Sequence, residues 1–315
     1  MSTETTELAT EAVSPTDTFI RVTEIWILDD DRSNLVLSSG AYGELDIFHE
    51  LSSKTSFGFG EGLPGLAWKN ASPVILNEFE GSVFKRTKEA HAAGLTSAIA
   101  FPIFSGEFLQ AVVVFLCGNS AAQSGAIEVW ADNGMDEMEL DQGYYGDLRK
   151  FETLSRSLQF HRGRGLPGIA YETGLPLIMS DFASDQTSFL RAKYAGEVGI
   201  QVGIAIPFYN HLELSSVVTL LSSGSTPIAR RFEIWLPSED HSELEFHSGV
   251  ENGEDVTSPA GALSSLPRGD KTLGSAWLQG IPLVTTGEPA DGYDFLLALP
   301  IIDKGSLNSV VACYN

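Results

Sequence analysis

The sequence predicts three tandem modules, each built of β-hairpins and short helices. A repeated unit and its repeated flanks carry that reading. Residues Gly60 to Pro73 run G-E-G-L-P-G-L-A-W-K-N-A-S-P and residues Gly163 to Pro176 run G-R-G-L-P-G-I-A-Y-E-T-G-L-P. A worn third copy, Gly269 to Pro282, reads G-D-K-T-L-G-S-A-W-L-Q-G-I-P and keeps the first and last glycine, the Ala, the aromatic and the final Pro. Self-similarity at a fixed period decides domain count before any local reading.

The flanks repeat in step. Each copy follows an acidic, aromatic strand opener: Glu24-Ile25-Trp26, Glu128-Val129-Trp130 and Glu233-Ile234-Trp235. Each precedes a proline-ended apolar strand (Ala98 to Pro102, Gly203 to Pro207, Leu297 to Pro300) and then a second apolar strand. The modules are expected at 18–120, 126–225 and 231–315, a usual size for single-core domains.

In chain order, residues 1–17 lack periodicity and are rich in Ser, Thr and Glu, which predicts a disordered tail. Phe19 to Leu28, a break at Asp29 to Asn34, and Leu35 to Leu37 read as a hairpin. The openers at Glu128 and Glu233 begin the same pattern. Leu45, Phe48 and Leu51, like Leu148, Phe151 and Leu154, have helical spacing; Val250 to Ala262 in the third module do not. The glycine-rich turn then leads into a short apolar helix, Leu66-Ala67-Trp68 or Ile169-Ala170-Tyr171, and a Pro-led strand. Phe84-x-Arg86 and Phe189-x-Arg191 open a further helix stopped by Gly94 or Gly199, a common helix terminator. The third module lacks it.

This order of hairpin, helix, G-x-G-L-P-G-x-A-(W/Y) turn, Pro-led strand and Phe-x-Arg helix resembles the GAF domain, the small-molecule sensing module of bacterial signalling proteins. The first two modules look most like the GAF sensors of bacterial sensory kinases; the third resembles a degenerate member. The resemblance implies an α+β fold, an antiparallel sheet with short helices on its faces, and a pocket between sheet and Phe-x-Arg helix. It names no cofactor. The cyclic-nucleotide constellation is not legible, neither cysteine sits where a bilin attaches, and the cysteines that methionine-sulfoxide reduction needs are missing.

Candidate ligand-binding residues follow from that pocket: Phe84, Arg86, His91 and Trp68 in module one, Phe189, Arg191, Tyr194 and Tyr171 in module two. Each has a plainer alternative. Arg86 and Arg191 could grip a carboxylate or phosphate in bidentate fashion, or form a salt bridge with Glu78 or Asp181. Trp68, Tyr171 and Trp277 share a position that suits core as well as a ligand platform. His91 has no metal-spaced partner. Gly60-x-Gly62-x-x-Gly65 matches the dinucleotide fingerprint as a string, but that fingerprint needs a strand before it and a long helix after it.

Composition narrows the function. At 43% hydrophobic and 19% charged residues the chain can build cores, and a formal charge of −23 argues against nucleic acid or anionic lipid as partner. No apolar run reaches the ~18 residues of a membrane span, and the acidic start is unlike a signal peptide, so a soluble, cytoplasmic protein is expected. Cys117 and Cys313 occupy different repeat positions and read as buried thiols. No Ser-His-Asp set, Cys-His pair or carboxylate dyad recurs. The connection Leu116 to Ile127 is too short for the long flanking helices of such sensors, and no kinase, cyclase or DNA-binding segment is legible. The leading expectation is a non-enzymatic sensory or regulatory protein, with a small molecule in modules one and two and output through a partner protein or homodimer. The other is a scaffold whose pockets have collapsed. Strands Ala111 to Leu116 and Ser216 to Leu221 are apolar on both alternations, so both sheet faces must be covered, by module-to-module packing or a second copy.

Overall fold

The computed structural model describes residues 18–118, 125–180, 182, 189–210, 213–223, 227–261, 263–290 and 292–315. The expected tail, residues 1–17, lies outside them. The first module comprises β1 (Ile20–Leu28), β2 (Asn34–Ala41), α1 (Asp46–Ser53), β3 (Ser56–Gly58), α2 (Gly62–Asn70), β4 (Val74–Leu76), α3 (Thr87–Ala92), β5 (Leu95–Ser105) and β6 (Phe108–Gly118). The second repeats it as β7 (Gly125–Asp132), β8 (Glu137–Tyr144), α4 (Arg149–Ser155), β9 (Gln159–His161), α5 (Gly165–Thr173), β10 (Leu177–Met179), α6 (Ala192–Glu197), β11 (Val202–Asn210) and β12 (Glu213–Ser222). The third has β13 (Arg231–Pro237), β14 (Glu243–Glu251), β15 (Glu254–Val256), β16 (Ser265–Pro267), α7 (Lys271–Gln279), β17 (Leu283–Ala290), β18 (Tyr293–Asp303) and β19 (Ser306–Tyr314). All three sheets are antiparallel and share one strand order, β3-β2-β1-β6-β5-β4 and β9-β8-β7-β12-β11-β10 in the first two; in the third, β14-β13-β19-β18-β17 continues it, with β16 pairing β14 as β3 pairs β2 and β15 added on the same strand. In the third, β17 runs into β18 where the others place α3 and α6, which is where the sequence shows its deletion.

Two local readings shift. The glycine motif lies inside the helix: α2 and α5 begin at Gly62 and Gly165, and the proline sits in the first turn, where its missing N–H costs nothing. Gly65 and Gly168 let this helix lie on the preceding strand. A Cβ on Gly65 would stand 2.1 Å from the Gly58 carbonyl oxygen, and one on Gly168 2.2 Å from that of His161. Module three keeps the same start with Lys271 at φ +48° where the others have glycine. Nor do the prolines end their strands. Pro102 pairs with Val112 in mid-β5. The short strand β4 pairs only as far as Ala100, so Pro102 has no partner waiting for an N–H on that side.

Alternation along the openers sorts the side chains. Glu24 and Trp26 point under the helices, whereas Ile25 points to the opposite face. Those opposite faces meet. Ile25, Ile99, Phe101 and Val113 share one buried cluster with Ile127, Val129, Ile204 and Val218 and with Leu297, Leu299 and Val311. Phe101 and Phe208 stack across it, with ring centroids 5.2 Å apart. The covered second face is therefore module-to-module packing within the chain.

The packing closes on itself. Strand β5 touches β11, β11 touches β18 and β18 touches β5. At the rim β4 abuts β8, β10 abuts β14 and β17 abuts β2, so the third module meets the first as the first meets the second. Such a repeated heterologous contact closes when the rotation completes a circle. At the first junction the Gln142 amide pairs with the β4 edge as a strand would, accepting from Ile75 N–H at 2.9 Å and donating to Pro73 C=O at 3.1 Å.

Candidate functional site

The place where the resemblance puts a pocket holds a carboxylate. Glu24 lies in mid-strand and fully buried, an arrangement that needs compensation because a desolvated charge without a partner costs several kcal/mol, of order 3–5. Compensation comes from four directions. Trp26 Nε1 donates to Glu24 Oε2 at 3.0 Å, and the Tyr42 and Ser52 hydroxyls each donate to Oε1 at 3.0 Å. The Arg86 guanidinium closes a two-pronged pair, with Nη2 donating to Oε2 at 2.8 Å and Nη1 to Oε1. Around it stand the rings of Trp26, Phe48, Phe57 and Phe84, with centroids 4.8 to 5.8 Å from the guanidinium carbon.

Module two rebuilds the cage. Glu128 accepts from Trp130 Nε1 at 3.0 Å, Tyr145 OH at 2.9 Å, Thr219 Oγ1 at 2.7 Å and both terminal nitrogens of Arg191, which also donates to Ser155 Oγ. Arg86 and Arg191 stand just before α3 and α6, at the N-cap rather than inside the helix the sequence suggests; module three has lost both that helix and its arginine, yet Glu233 is still paired. Its cation is Arg231, two residues earlier on the same strand, with Nε donating to Glu233 Oε1 at 2.7 Å. Trp235 Nε1, Tyr314 OH and the Ala260 N–H complete the set. A strand neighbour has taken over what a helix supplies elsewhere, which marks the buried carboxylate as the part that needs a cation.

The electrostatics follow. Burial pushes the Glu24 carboxyl up, but the Arg86 charge and the hydrogen bonds from Arg86, Trp26 and Ser52 outweigh it and hold the group below its ordinary value. Glu128 is lowered in the same way by Arg191, Thr219 and Tyr145 against the same desolvation. Burial and the adjacent carboxylate raise Tyr42 and Tyr145 well above the usual phenol range. The cage therefore holds one fixed charge state at neutral pH and offers no group poised for proton transfer.

The sequence-derived candidates distribute unevenly. Phe84 with Arg86, and Phe189 with Arg191, are brought together at the cages. Phe84 stacks on Phe79 at 4.0 Å and Phe189 on Phe182 at 3.8 Å. The arginines' partners are Glu24 and Glu128 in place of Glu78; Asp181 lies outside the described residues. His91 is exposed on α3 and Tyr194 on α6. Trp68 is half-buried on α2 against the edge of Phe59, and Tyr171 is buried on α5 beneath the Arg162 guanidinium. These four stand apart from the cages. The glutamates, Tyr42 and Tyr145 were missed, although one signal was visible: an acid at the centre of an apolar strand, at the same register in every module. Among the described residues no group of three or more His, Cys, Asp or Glu is placed to hold a metal ion, and no helix is long and apolar enough to cross a membrane.

The family model described as GAF domain matches residues 2–130, which take in the first module and most of β7. Among curated proteins none matches. Similar solved structures include the free methionine-R-sulfoxide reductase from Neisseria meningitidis, at 18% identity and TM-score 0.26 over 33% of this chain and 55% of that one. The GAF domain from Acinetobacter phosphoenolpyruvate-protein phosphotransferase is 18% identical at TM-score 0.25 over 32% and 56%. The A. aeolicus nlh2 GAF domain in an inactive state is 22% identical at TM-score 0.26 over 32% and 59%. This chain thus spans less than two thirds of each of these relatives.

Proposed function

We propose that this chain, a member of the GAF-domain family with a degenerate third copy, is a non-enzymatic regulatory scaffold. In this reading the ligand space of modules one and two has become structure, and the chain acts by presenting a closed three-module body to partner proteins. The observation that carries it is the Arg86 to Glu24 pair and its twin, Arg191 to Glu128, buried beneath the Phe-x-Arg segments where a small molecule would sit. An arginine gripping an internal carboxylate through both terminal nitrogens has its charge neutralised, and a ligand carboxylate or phosphate would have to displace a partner already in the ideal geometry.

A catalytic reading finds less support. Cysteine-based chemistry has no foothold among the described residues: Cys117 and Cys313 are buried in sheet strands, with burial pushing both thiols up, Cys313 to about 12. A thiol so raised is a poor nucleophile.

The test is a thermal-shift screen of cyclic nucleotides, haem and bilins against the intact chain, with crystallography of any compound that stabilises it. The reading expects none to enter beneath α3 or α6. A compound bound there, with Arg86 or Arg191 released from its glutamate, overturns it.

A further inference from the structure

The closed packing creates clefts that no single module has, and two of them are copies of each other. Where module one meets module two, a cavity of about 290 Å³ is walled by Asn77 and Thr96 on one side and by Tyr144, Asp147, Arg149 and Glu152 on the other. Where module three meets module one, a cavity of about 360 Å³ is walled by Thr286 and Asp294 on one side and by Tyr42, Asp46, His49 and Arg21 on the other. The walls correspond by repeat register. Thr286 stands four residues after Pro282 as Asn77 stands four after Pro73, and Asp294 stands six before Pro300 as Thr96 stands six before Pro102. Asp46 and His49 are the counterparts of Arg149 and Glu152, each 103 residues earlier, the spacing from Gly60 to Gly163. The third junction lacks that wall, because among the described residues β15 follows β14 where the other modules place α1 and α4.

Although the side chains differ, the charge inventory agrees. Each cleft is lined by one guanidinium and two side-chain carboxylates: Arg149 with Asp147 and Glu152 in the first, Arg21 with Asp46 and Asp294 in the second, where His49 and Asn315 also stand. Arg149 reaches Glu152 only loosely, at 3.9 Å, while the other oxygen of Glu152 accepts from Arg156. His49 stacks on Tyr42 at 4.4 Å and gives the second cleft an aromatic wall. A simple anion entering either cleft meets two like charges, and a simple cation meets the guanidinium. A small molecule carrying both signs satisfies both. Clefts of roughly 300 Å³ match the lower end of ligand sites.

We propose that these two junction clefts are binding sites for α-amino acids, with the carboxylate taken by Arg149 or Arg21 and the ammonium by the paired acids. A ligand there touches two modules at once, so its binding free energy adds to the closure of the ring. This site is independent of the scaffold reading, which rests on the buried cages.

The experiment is isothermal titration of the intact chain with the twenty α-amino acids, with acetate and methylammonium as single-charge probes. At least one amino acid is expected to bind at two sites per chain and to raise the melting temperature, and neither single-charge probe to do so. Arg149→Gln should weaken one site by tenfold or more and spare the other, and Arg21→Gln the reverse, the usual scale for losing a charge-assisted pair. Arg149 is 83% exposed, so its replacement leaves the fold intact. Glu152→Gln is a second probe of the first site. Silence from all twenty amino acids at millimolar concentration overturns the proposal. So does equal binding of acetate or methylammonium, or undiminished affinity in the Arg149→Gln, Arg21→Gln double variant. None of these outcomes bears on whether a compound enters beneath α3.

Discussion

Replacing Glu24 by Gln keeps the shape of the cage and removes its charge. Arg86 then remains as a buried cation with its side chain 3% exposed, and its four surrounding rings offer only cation-π attraction, about 0.5–2 kcal/mol. Breaking a buried pair from one side costs about 3–5 kcal/mol because the survivor stays desolvated and unpaired. Arg86→Met should cost a similar amount, leaving Glu24 with Trp26, Tyr42 and Ser52 but no counter-ion. The double variant removes both charges, so its loss should fall well below the sum of the singles, with a coupling of about 2–3 kcal/mol between touching groups. Urea unfolding followed by tryptophan fluorescence measures all four proteins. Trp26 reports directly, since its indole N–H is bonded to Glu24. Because three modules share one central core, the first transition is compared rather than a single global free energy. Single losses below about 1 kcal/mol, or strict additivity, would refute the claim that the pair fills the module.

Three further outcomes follow. Glu24 and Glu128 are held below the ordinary value of about 4.5, so their contribution is present above that pH and is lost as pH falls through their lower folded values. Urea midpoints should drop steeply below about pH 4.5, and Glu24→Gln with Glu128→Gln should flatten that acid limb. Arg231→Met should destabilise module three by about 3–5 kcal/mol, as loss of the helix arginine does elsewhere; a neutral result in thermal melts would show that Glu233 needs no cation. Gly168→Ala forces a Cβ to 2.2 Å from a backbone oxygen and should cost about 3 kcal/mol by overpacking, read as a lowered melting temperature against a Gly196→Ala control, where an added Cβ meets nothing within 4 Å.

How much of this was legible depends on whether a feature is written locally. The repeat, the hairpins, the missing helix in module three and the burial of both sheet faces could be read because glycines, prolines and alternation mark them residue by residue. The pairing of Arg86 with Glu24 spans 62 residues, and nothing near Arg86 announces it. Glu78, nearer in sequence, is the partner that proximity suggests, and it is exposed. Register is what could have revealed the true partner, since a lone acid inside β1, β7 and β13 demands a cation. Arg231 could have been noticed in the same way, as a charge two residues before the opener in the one module without a helix arginine. The clefts were beyond reach, because they are made by strands of different modules, and the order in which modules close is not encoded in any one repeat.

Whether the three modules form one closed body is read from small-angle scattering of the intact chain at several concentrations. A compact body of this length has a radius of gyration of about 20 Å. Three modules of about 13 Å each, strung in a row, would give roughly 28 Å. The closed body gives a value near the first, independent of concentration, and a value near the second would contradict closure.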